Sequence, residues 1–507
     1  MNSQPSVGKE DIGLRHWLIL ATVQITTLTF GMTITSANVI LPQLKGAMAA
    51  TSDQIAWVVT FNLVATAIAT PLTGWLAQTL GWRKLLFISL GGFTVFSALC
   101  GFATSLESLV MFRVGQGAFG APLMPLGQGM ILATFPRRLH PMALMMWGVG
   151  GVLGPVLGPI LGGVVAETMD WRWVFFMIVP LGVACIFVAA ISVDDQEKGT
   201  AKKFDFTGFV ALALAIGAAQ LMLDRGQRLD WFESPEIIIE ACLAMAGFYI
   251  FISHSITSEN PFINLRLFSD RNFTLGCITA FAMGWLSYTP IVLFPPLLQE
   301  LRGYPDSLVG YLIAARGFGN WVSFFIVVQF TRKAPRLALA IGIACQAFAG
   351  WEMGQLSINL TEFDVFWTNF LHGFGFGLAY TPMAVLAFST LTPKLMVEGS
   401  GVFNLLRHFG SSVFISISVT LLIQSSALNY SEMSYLMTPF NELLKFPEVM
   451  GAWDFESVSG ISTLSGEIKR QAQMIGYLNA FQLFGVAAAI AIPISFLFTN
   501  PNDSANQ

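Results

Sequence analysis

Apolar runs of membrane-spanning length recur along the whole chain. A helix needs about 20 apolar residues to cross the ~30 Å hydrocarbon core of a bilayer, and only helices or closed barrels satisfy their backbone polar groups there. The runs are too long for barrel strands, so they predict an all-α polytopic membrane protein. Fourteen of them are predicted as transmembrane helices, near residues 17–41, 54–77, 84–104, 107–133, 142–166, 172–193, 206–224, 235–254, 272–299, 307–331, 336–357, 363–391, 399–425 and 475–498.

The composition excludes several other classes of protein. Hydrophobic residues make up 54% of the 507 residues and charged residues 11%, against about 25% charged in an ordinary soluble protein. This excludes a disordered protein, a nucleic-acid-binding protein and a secreted disulfide scaffold, and the net charge of −4 implies no strongly charged partner. The five cysteines lie in apolar runs without a disulfide or zinc spacing, so we expect no metal site.

The predicted helices divide into groups of six, two and six. Their even number places both termini on one side, and loops on that side carry the larger share of Lys and Arg, which predicts cytoplasmic termini. The first sixteen residues are polar and do not form a signal peptide. The predicted organisation is a cytoplasmic tail (1–16), an N-terminal six-helix half (17–193), a cytoplasmic linker (194–205), a two-helix insert (206–254), a second cytoplasmic linker (255–271), a C-terminal six-helix half (272–498) with a periplasmic loop (426–473), and a cytoplasmic tail (499–507).

A glycine and proline run in the fifth predicted helix is the most specific motif. Glycines recur every four residues and form one smooth stripe on which another helix can pack closely. The two prolines each remove a backbone donor and bend the helix. We interpret this run as a conformational element, with generic tight packing as the alternative. Its residues are Gly150, Gly154, Pro155, Gly158, Pro159 and Gly162.

This run resembles the antiporter motif of the drug:proton exporters in the major facilitator superfamily. The connector with Gly74, Gly81, Arg83 and Lys84 is similar to the superfamily's loop after the second helix, and a second short basic connector, 329–336, occupies the same place in the C-terminal half. Further stretches that fit the fourteen-span EmrB/QacA-type exporters are 113–117, 171–182, 223–232, 316–317 and 399–412.

The resemblance implies a major facilitator fold that exports small amphipathic compounds by alternating access. It implies proton antiport, with a proton gradient as energy source, no cofactor and no enzymatic activity. The family's acidic residue late in the first helix is Thr33 here, and its loop acid is Gln78. The resemblance therefore does not imply a proton-carrying carboxylate in the first helix of this chain.

Three arginines fall inside predicted helices with no carboxylate at mid-membrane: Arg113, Arg316 and Arg407. A guanidinium keeps its proton and must face water, carbonyls, a distant acid or a bound anion. We hypothesise an electropositive central cavity that favours amphipathic anions over lipophilic cations. The alternative is that backbone carbonyls satisfy each arginine.

The remaining candidate residues complete the predicted site. His372 and His408 titrate near neutral pH in water and are candidate proton carriers, with ordinary packing as the alternative. Gln116, Asn404 and Asp224 are further substrate or coupling candidates, and Trp285 with the phenylalanines is predicted to form an apolar wall. The G-x-G-x-x-G match at 115–120 lies inside an apolar helix and does not predict dinucleotide binding.

The predicted partners are a small amphipathic substrate, with an acidic compound favoured, and the lipid bilayer of a bacterial inner membrane. The resemblance also implies a periplasmic membrane-fusion adaptor and an outer-membrane channel, with the loop 426–473 as the docking surface. A plain solvated loop is the alternative. The alternative function is a dedicated exporter of one endogenous metabolite such as a siderophore, fatty acid or organic acid, and a membrane receptor or enzyme is the alternative of another class.

Overall fold

The computed structural model describes residues 13–194, 203–392, 395–438, 440–442 and 457–499. Within these ranges the chain is helical, with short connections between helices. The helices are α1 Leu14–Val39, α2 Leu41–Ala47, α3 Ser52–Ala69, α4 Leu72–Leu80, α5 Trp82–Gly101, α6 Leu106–Gly120, α7 Leu123–Thr134, α8 His140–Thr168, α9 Trp171–Phe176, α10 Ile178–Ser192, α11 Phe206–Arg225, α12 Pro235–Thr257, α13 Arg271–Pro296, α14 Asp306–Lys333, α15 Pro335–Met353, α16 Glu362–Phe388, α17 Met396–Leu436 and α18 Val458–Ala491.

Within the described ranges, eleven helices are long and apolar enough to cross a membrane, and the bent pair α3–α4 makes twelve. The other two predicted spans, 107–133 and 336–357, are helical but fall outside this group. The first is divided between α6 and α7, and the second is the 19-residue α15, which contains Arg336 and Glu352. Fourteen transmembrane helices therefore remain a prediction.

Prolines divide two of the predicted spans. The axes of α3 and α4 differ by 56° across the break before Leu72, where Pro71 stands. Pro122 occupies the corresponding place between α6 and α7. A proline inside a helix removes one backbone hydrogen bond and clashes with the preceding turn, which accounts for both breaks.

The predicted loop 426–473 is shorter than expected. Helix α17 continues to Leu436, and α18 already begins at Val458. The prediction that a helix leads from about residue 460 into the last span agrees with α18. The predicted segments 1–12, 195–202, 443–456 and 500–507 lie outside the described residues.

Helices α1 to α10 pack into a first bundle and α13 to α18 into a second. In the first bundle, α1 lies against α8 and α10, and α6 lies against α3 and α5. In the second, α16 packs between α14 and α15, and α17 packs between α13 and α18. The bundles meet where α8 contacts α14 and α16, and where α17 contacts α4 and α7.

The inserted pair α11–α12 joins the two bundles at one side. Helix α11 packs against α12 and lies between α3 of the first bundle and α17 of the second. At its start, Asp205 accepts hydrogen bonds from the Gly208 and Phe262 amides, both at 2.9 Å, and lies 2.8 Å from His254 Nε2 at the end of α12. These contacts hold the start of α11 and the end of α12 together, and Phe204 just before α11 packs against Trp75 of α4 with ring centroids 4.6 Å apart. The end of the molecule where α1 begins is called face A below; the opposite end is face B.

Candidate functional site

A cavity of about 680 Å³ lies between the two bundles and is called the main cavity. Its walls come from α1, α3, α8, α11, α13, α14 and α17. It extends to face B, because its lining includes Asn38 at the end of α1 and Val309 near the start of α14. Most of its surface is apolar, and neutral polar groups such as Thr66, Gln220 and Ser412 interrupt it.

The described lining of the main cavity contains no Lys, Arg, Asp or Glu; its titratable side chains are Tyr288 and His408. This corrects the expectation that the central cavity itself is lined by arginines. A second pocket of about 30 Å³, called the arginine pocket, adjoins the main cavity, since Pro155, Tyr288 and Ile291 line both. Arg316 and Arg407 line the arginine pocket, where the positive charge is confined.

Arg407 on α17 has only neutral hydrogen-bond acceptors among the described residues. Its Nη2 donates to Asn404 Oδ1 at 3.3 Å, Met124 Sδ at 3.4 Å and His408 Nε2 at 3.1 Å. Because a guanidinium only donates, His408 Nε2 is the acceptor and this imidazole is neutral in the arrangement seen. Arg316, His408 and Arg407 are thus the predicted candidates that the structure brings to the cavities.

Arg113 and Gln116 line neither cavity. Arg113 Nε donates to the Val58 carbonyl at 3.0 Å, and its Nη1 donates to Gln116 Oε1 at 2.5 Å. Gln116 Nε2 then donates to Ser97 Oγ at 2.7 Å, and the Arg113 guanidinium lies 5.9 Å from the centre of the Phe175 ring. Both residues are wholly buried inside the first bundle. A backbone carbonyl thus accepts one of the hydrogen bonds of Arg113, in agreement with the alternative prediction that carbonyls satisfy the buried arginines.

Trp285 and His372 also lie away from both cavities. The Trp285 ring stacks on Phe414 with centroids 4.2 Å apart, and its Nε1 donates to Ser418. The expected wall therefore does not contain Trp285, because this ring packs between α13 and α17; the wall phenylalanines are Phe30 and Phe409. His372 Nε2 lies 2.6 Å from the Leu286 carbonyl, in the interface of α16 and α13.

Asn404 and Asp224 join helices instead of facing the cavities. Asn404 Nδ2 donates at 2.6 Å to Gln128 Oε1, which also accepts from Ser400 Oγ at 2.8 Å. Gln128 belongs to α7 of the first bundle, and both donors belong to α17 of the second. These two hydrogen bonds therefore link the bundles. Asp224, at the end of α11, accepts a hydrogen bond from the Thr60 hydroxyl of α3. Nothing in the sequence indicates the role of Gln128, because its partners lie more than 270 residues further along the chain.

The glycine run on α8 packs against α1, as its spacing predicted. A Cβ atom on Gly154 would lie 2.6 Å from the Leu28 carbonyl oxygen, and one on Gly158 would lie 2.7 Å from that of Met32. A Cβ on Gly150 would lie 2.9 Å from the Gln24 carbonyl oxygen, and one on Gly162 would lie 3.0 Å from the Ser36 Cβ atom. Pro155 and Pro159 line the main cavity, a position that the sequence did not predict.

The connector 74–84 begins within α4, and this first part closes face A between the bundles. A Cβ on Gly74 would lie 2.9 Å from the Glu398 Cα atom of α17. Glu398 accepts hydrogen bonds from Gln78 Nε2 at 3.1 Å and from the Asn264 amide at 3.0 Å.

The rest of this connector forms the turn into α5. Gly81 has φ +83° and ψ +156°, a conformation open essentially to glycine alone. Arg83 Nη2 donates to the Ala190 carbonyl at 3.3 Å, and Lys84 is exposed.

Comparison with known proteins agrees with this architecture. The chain matches the family model described as Major Facilitator Superfamily over residues 24–415. The multidrug export protein EmrB of Escherichia coli (strain K12) is 33% identical over 429 residues, 84% of each chain. The fatty acid resistance protein FarB of Neisseria gonorrhoeae is 31% identical over 488 residues, 94% of this chain and 96% of FarB.

A crystal structure of the human organic anion transporter MFSD10 has the same fold, with a TM-score of 0.59 at 11% sequence identity over 93% of this chain and 99% of that one. The family match covers well over half of the chain, which carries many apolar helices around a central cavity. This multi-pass membrane protein therefore belongs to the major facilitator superfamily and is a transporter related to the EmrB-type multidrug exporters, not an enzyme.

Proposed function

We propose that this protein exports small amphipathic compounds, with acidic ones preferred, across a bacterial inner membrane by alternating access and in exchange for protons. The observation that carries the proposal is the main cavity. Its volume of about 680 Å³ suits a small organic molecule, and its mostly apolar wall suits a lipophilic body. The adjoining arginine pocket supplies the positive charge that an acidic group needs.

The proposed topology has fourteen transmembrane helices in groups of six, two and six, with both termini in the cytoplasm. Face A would then be cytoplasmic. The contacts of Glu398 with Gln78 and Asn264 close that face, and the main cavity extends to face B. The arrangement seen would accordingly be the outward-facing one, from which substrate leaves.

Proton coupling needs a group that can bind and release a proton. Thr33 stands where the family's first-helix acid would be, and its hydroxyl donates to the Thr29 carbonyl at 2.9 Å. His408 lines the main cavity beside Arg407, so we propose it as the proton carrier. Protonation of Nε2 would break its contact with Arg407 and set two positive charges side by side. In antiport the proton would enter from outside after the substrate has left, and it would leave to the cytoplasm before the next substrate binds.

A dedicated exporter of one endogenous acid is the second candidate function. The name of FarB, a fatty acid resistance protein, favours a fatty acid as that compound. A fatty acid has the apolar chain and single carboxylate that the two cavities together suit. Comparison of several unrelated acids in one transport assay separates a broad exporter from this dedicated one.

A periplasmic adaptor is proposed to dock where α17 and α18 extend beyond the predicted spans. Tyr435 is 82% exposed at the end of α17, and Val458 is 87% exposed at the start of α18. Exposed apolar side chains of this kind are typical of protein contact surfaces. The proposed assembly would continue to an outer-membrane channel.

Proton movement in everted membrane vesicles tests the function. A pH-sensitive dye is followed while decanoate is added to one sample and decyltrimethylammonium to another. We expect decanoate to release protons from vesicles that contain the wild-type protein, and Arg316→Gln to abolish this response. Release with the cation alone would contradict the acid preference. Substrate flux without proton release would contradict antiport, and no flux with any amphiphile would overturn the export function.

A further inference from the structure

The arginine pocket is built by both bundles. Met124 and Trp147 come from the first bundle, and Arg316, Tyr380 and Arg407 come from the second. Its volume of about 30 Å³ exceeds the roughly 10–15 Å³ that one water molecule needs, so the pocket holds a small group only. A halide ion or one carboxylate oxygen fits such a space, whereas a sulfate or phosphate group does not.

Arg316 has two hydrogen-bond donors without an acceptor among the described residues. Its Nε and Nη1 atoms are buried and have no hydrogen-bond partner in the part of the chain that the structure describes. The residue is only 2% exposed, and the Phe376 ring lies 5.6 Å from its guanidinium carbon. An uncompensated ion in a protein interior costs several kcal/mol, so this guanidinium calls for an anion.

Arg407 does not provide that compensation. Its hydrogen-bond acceptors include neutral groups on Asn404, Met124 and His408, the tyrosines Tyr288 and Tyr380 also face it, and its own Nε has no hydrogen-bond partner among the described residues. Two permanent cations therefore line one small space, and none of the described ion pairs includes either of them. A single negative charge would serve both guanidinium groups.

We propose that the arginine pocket is a binding site for one monovalent anion, supplied by the acidic group of a bound substrate or, when no substrate is present, by chloride. Because Tyr288 and Ile291 line both cavities, a carboxylate in this pocket leaves its apolar chain in the main cavity. The substrate part of the proposal rests on the proposed function, whereas the chloride part concerns the empty protein. Substrate and chloride compete for the same site.

Chloride binding is tested on the purified full-length protein without substrate. The thermal unfolding midpoint is measured while potassium sulfate is replaced by potassium chloride at constant ionic strength. A ligand that binds the folded state alone raises this midpoint in a saturable way. We expect such a rise for the wild type, and a loss of affinity of about tenfold or more in Arg316→Gln, since hydrogen bonds to charged groups are strong.

Arg113→Gln is the matched control. Arg113 is equally buried and lies outside both cavities; its Nη2 also has no partner among the described residues, but its Nε and Nη1 donate to Val58 and Gln116. The unfolding midpoint of this variant should still rise with chloride as it does in the wild type, even if its midpoint without chloride differs. An unchanged response in Arg316→Gln, or no response in the wild type, overturns the chloride site. If Arg316→Gln does not fold, equilibrium binding of radioactive chloride to the wild type decides: one saturable site per chain supports the proposal and none overturns it.

Decanoate below its micellar concentration tests whether the two anions share the pocket. We expect it to displace chloride from the wild-type protein, whereas decyltrimethylammonium should not. Chloride binding that decanoate leaves unchanged overturns the shared site. A protein that binds chloride through Arg316 but exports nothing in vesicles would refute the proposed function and leave the chloride site standing.

Discussion

Gln128 joins the two bundles through one amide oxygen that accepts from both Ser400 and Asn404. Gln128→Met keeps the shape of the side chain and removes the acceptor, so two buried donors lose a partner. A buried donor left without an acceptor costs about 1–3 kcal/mol, which applies to Ser400 Oγ, whereas Asn404 Nδ2 keeps the Ser400 carbonyl at 2.9 Å. We expect a lower thermal unfolding midpoint for the purified variant.

Gln346→Met is the control for this substitution. Gln346 is also wholly buried, but its amide nitrogen contacts only Met283 Sδ at 3.8 Å and its amide oxygen has no described partner. This variant should unfold near the wild-type temperature. Equal losses in the two variants would contradict the special role of Gln128.

Single residues were predictable from sequence where their chemistry alone is unusual in a membrane. Arg316 and Arg407 stand out because charged side chains are costly there, and both line the arginine pocket. Arg113 stands out for the same reason, yet it lies inside the first bundle. The sequence could not show this, because the carbonyl and amide groups that bind Arg113 cannot be identified from spacing. Gln128 gives no signal at all, since its role depends on residues of another helix.

Glycine spacing on α8 leads to a prediction at the scale of helices. Gly154→Ala places a methyl group 2.6 Å from the Leu28 carbonyl oxygen of α1, and a backbone atom cannot move aside. Overpacking of this kind costs about 1–3 kcal/mol. Gly154→Ala should therefore lower the unfolding midpoint and the yield of folded protein.

Gly148→Ala on the same helix is the matched control for stability. The nearest atom to its added methyl group would be Tyr380 Cδ1 at 3.8 Å, an ordinary contact. This variant should be as stable as the wild type or slightly more, since alanine favours a helix. A destabilised Gly148→Ala beside a tolerant Gly154→Ala would show that α8 does not pack as described.

The packing face of a helix could be predicted where the sequence pattern that marks it lies within that one helix. The four-residue glycine spacing gave the α8 face that meets α1. Pro71 and Pro122 were equally visible in the sequence, but the long apolar runs around them favoured continuous helices over the observed breaks. Hydropathy measures whether a segment prefers lipid and carries no information on where a helix bends.

The meeting of the two bundles at face A is a property of the whole molecule that the sequence did not reveal. Glu398 on α17 lies 320 residues from Gln78, and nothing local to either indicates the pair. The sequence showed only that Gln78 replaces the family's loop acid. The structure adds a physical reason, because an acid at position 78 would face the carboxylate of Glu398.

Gln78→Glu should therefore open face A. Two carboxylates about 4 Å apart repel by roughly 1–4 kcal/mol, depending on how much water surrounds them. Since 1.4 kcal/mol is tenfold in an equilibrium constant, the middle of this range disfavours the closed arrangement by more than about tenfold. Spin labels at Lys84→Cys and Lys333→Cys, in a background without the native cysteines, should report longer distances in this variant. Gln329→Glu adds the same charge at an exposed position on α14 and should leave the distances unchanged, so matching changes in both variants would assign the effect to net charge and not to Glu398.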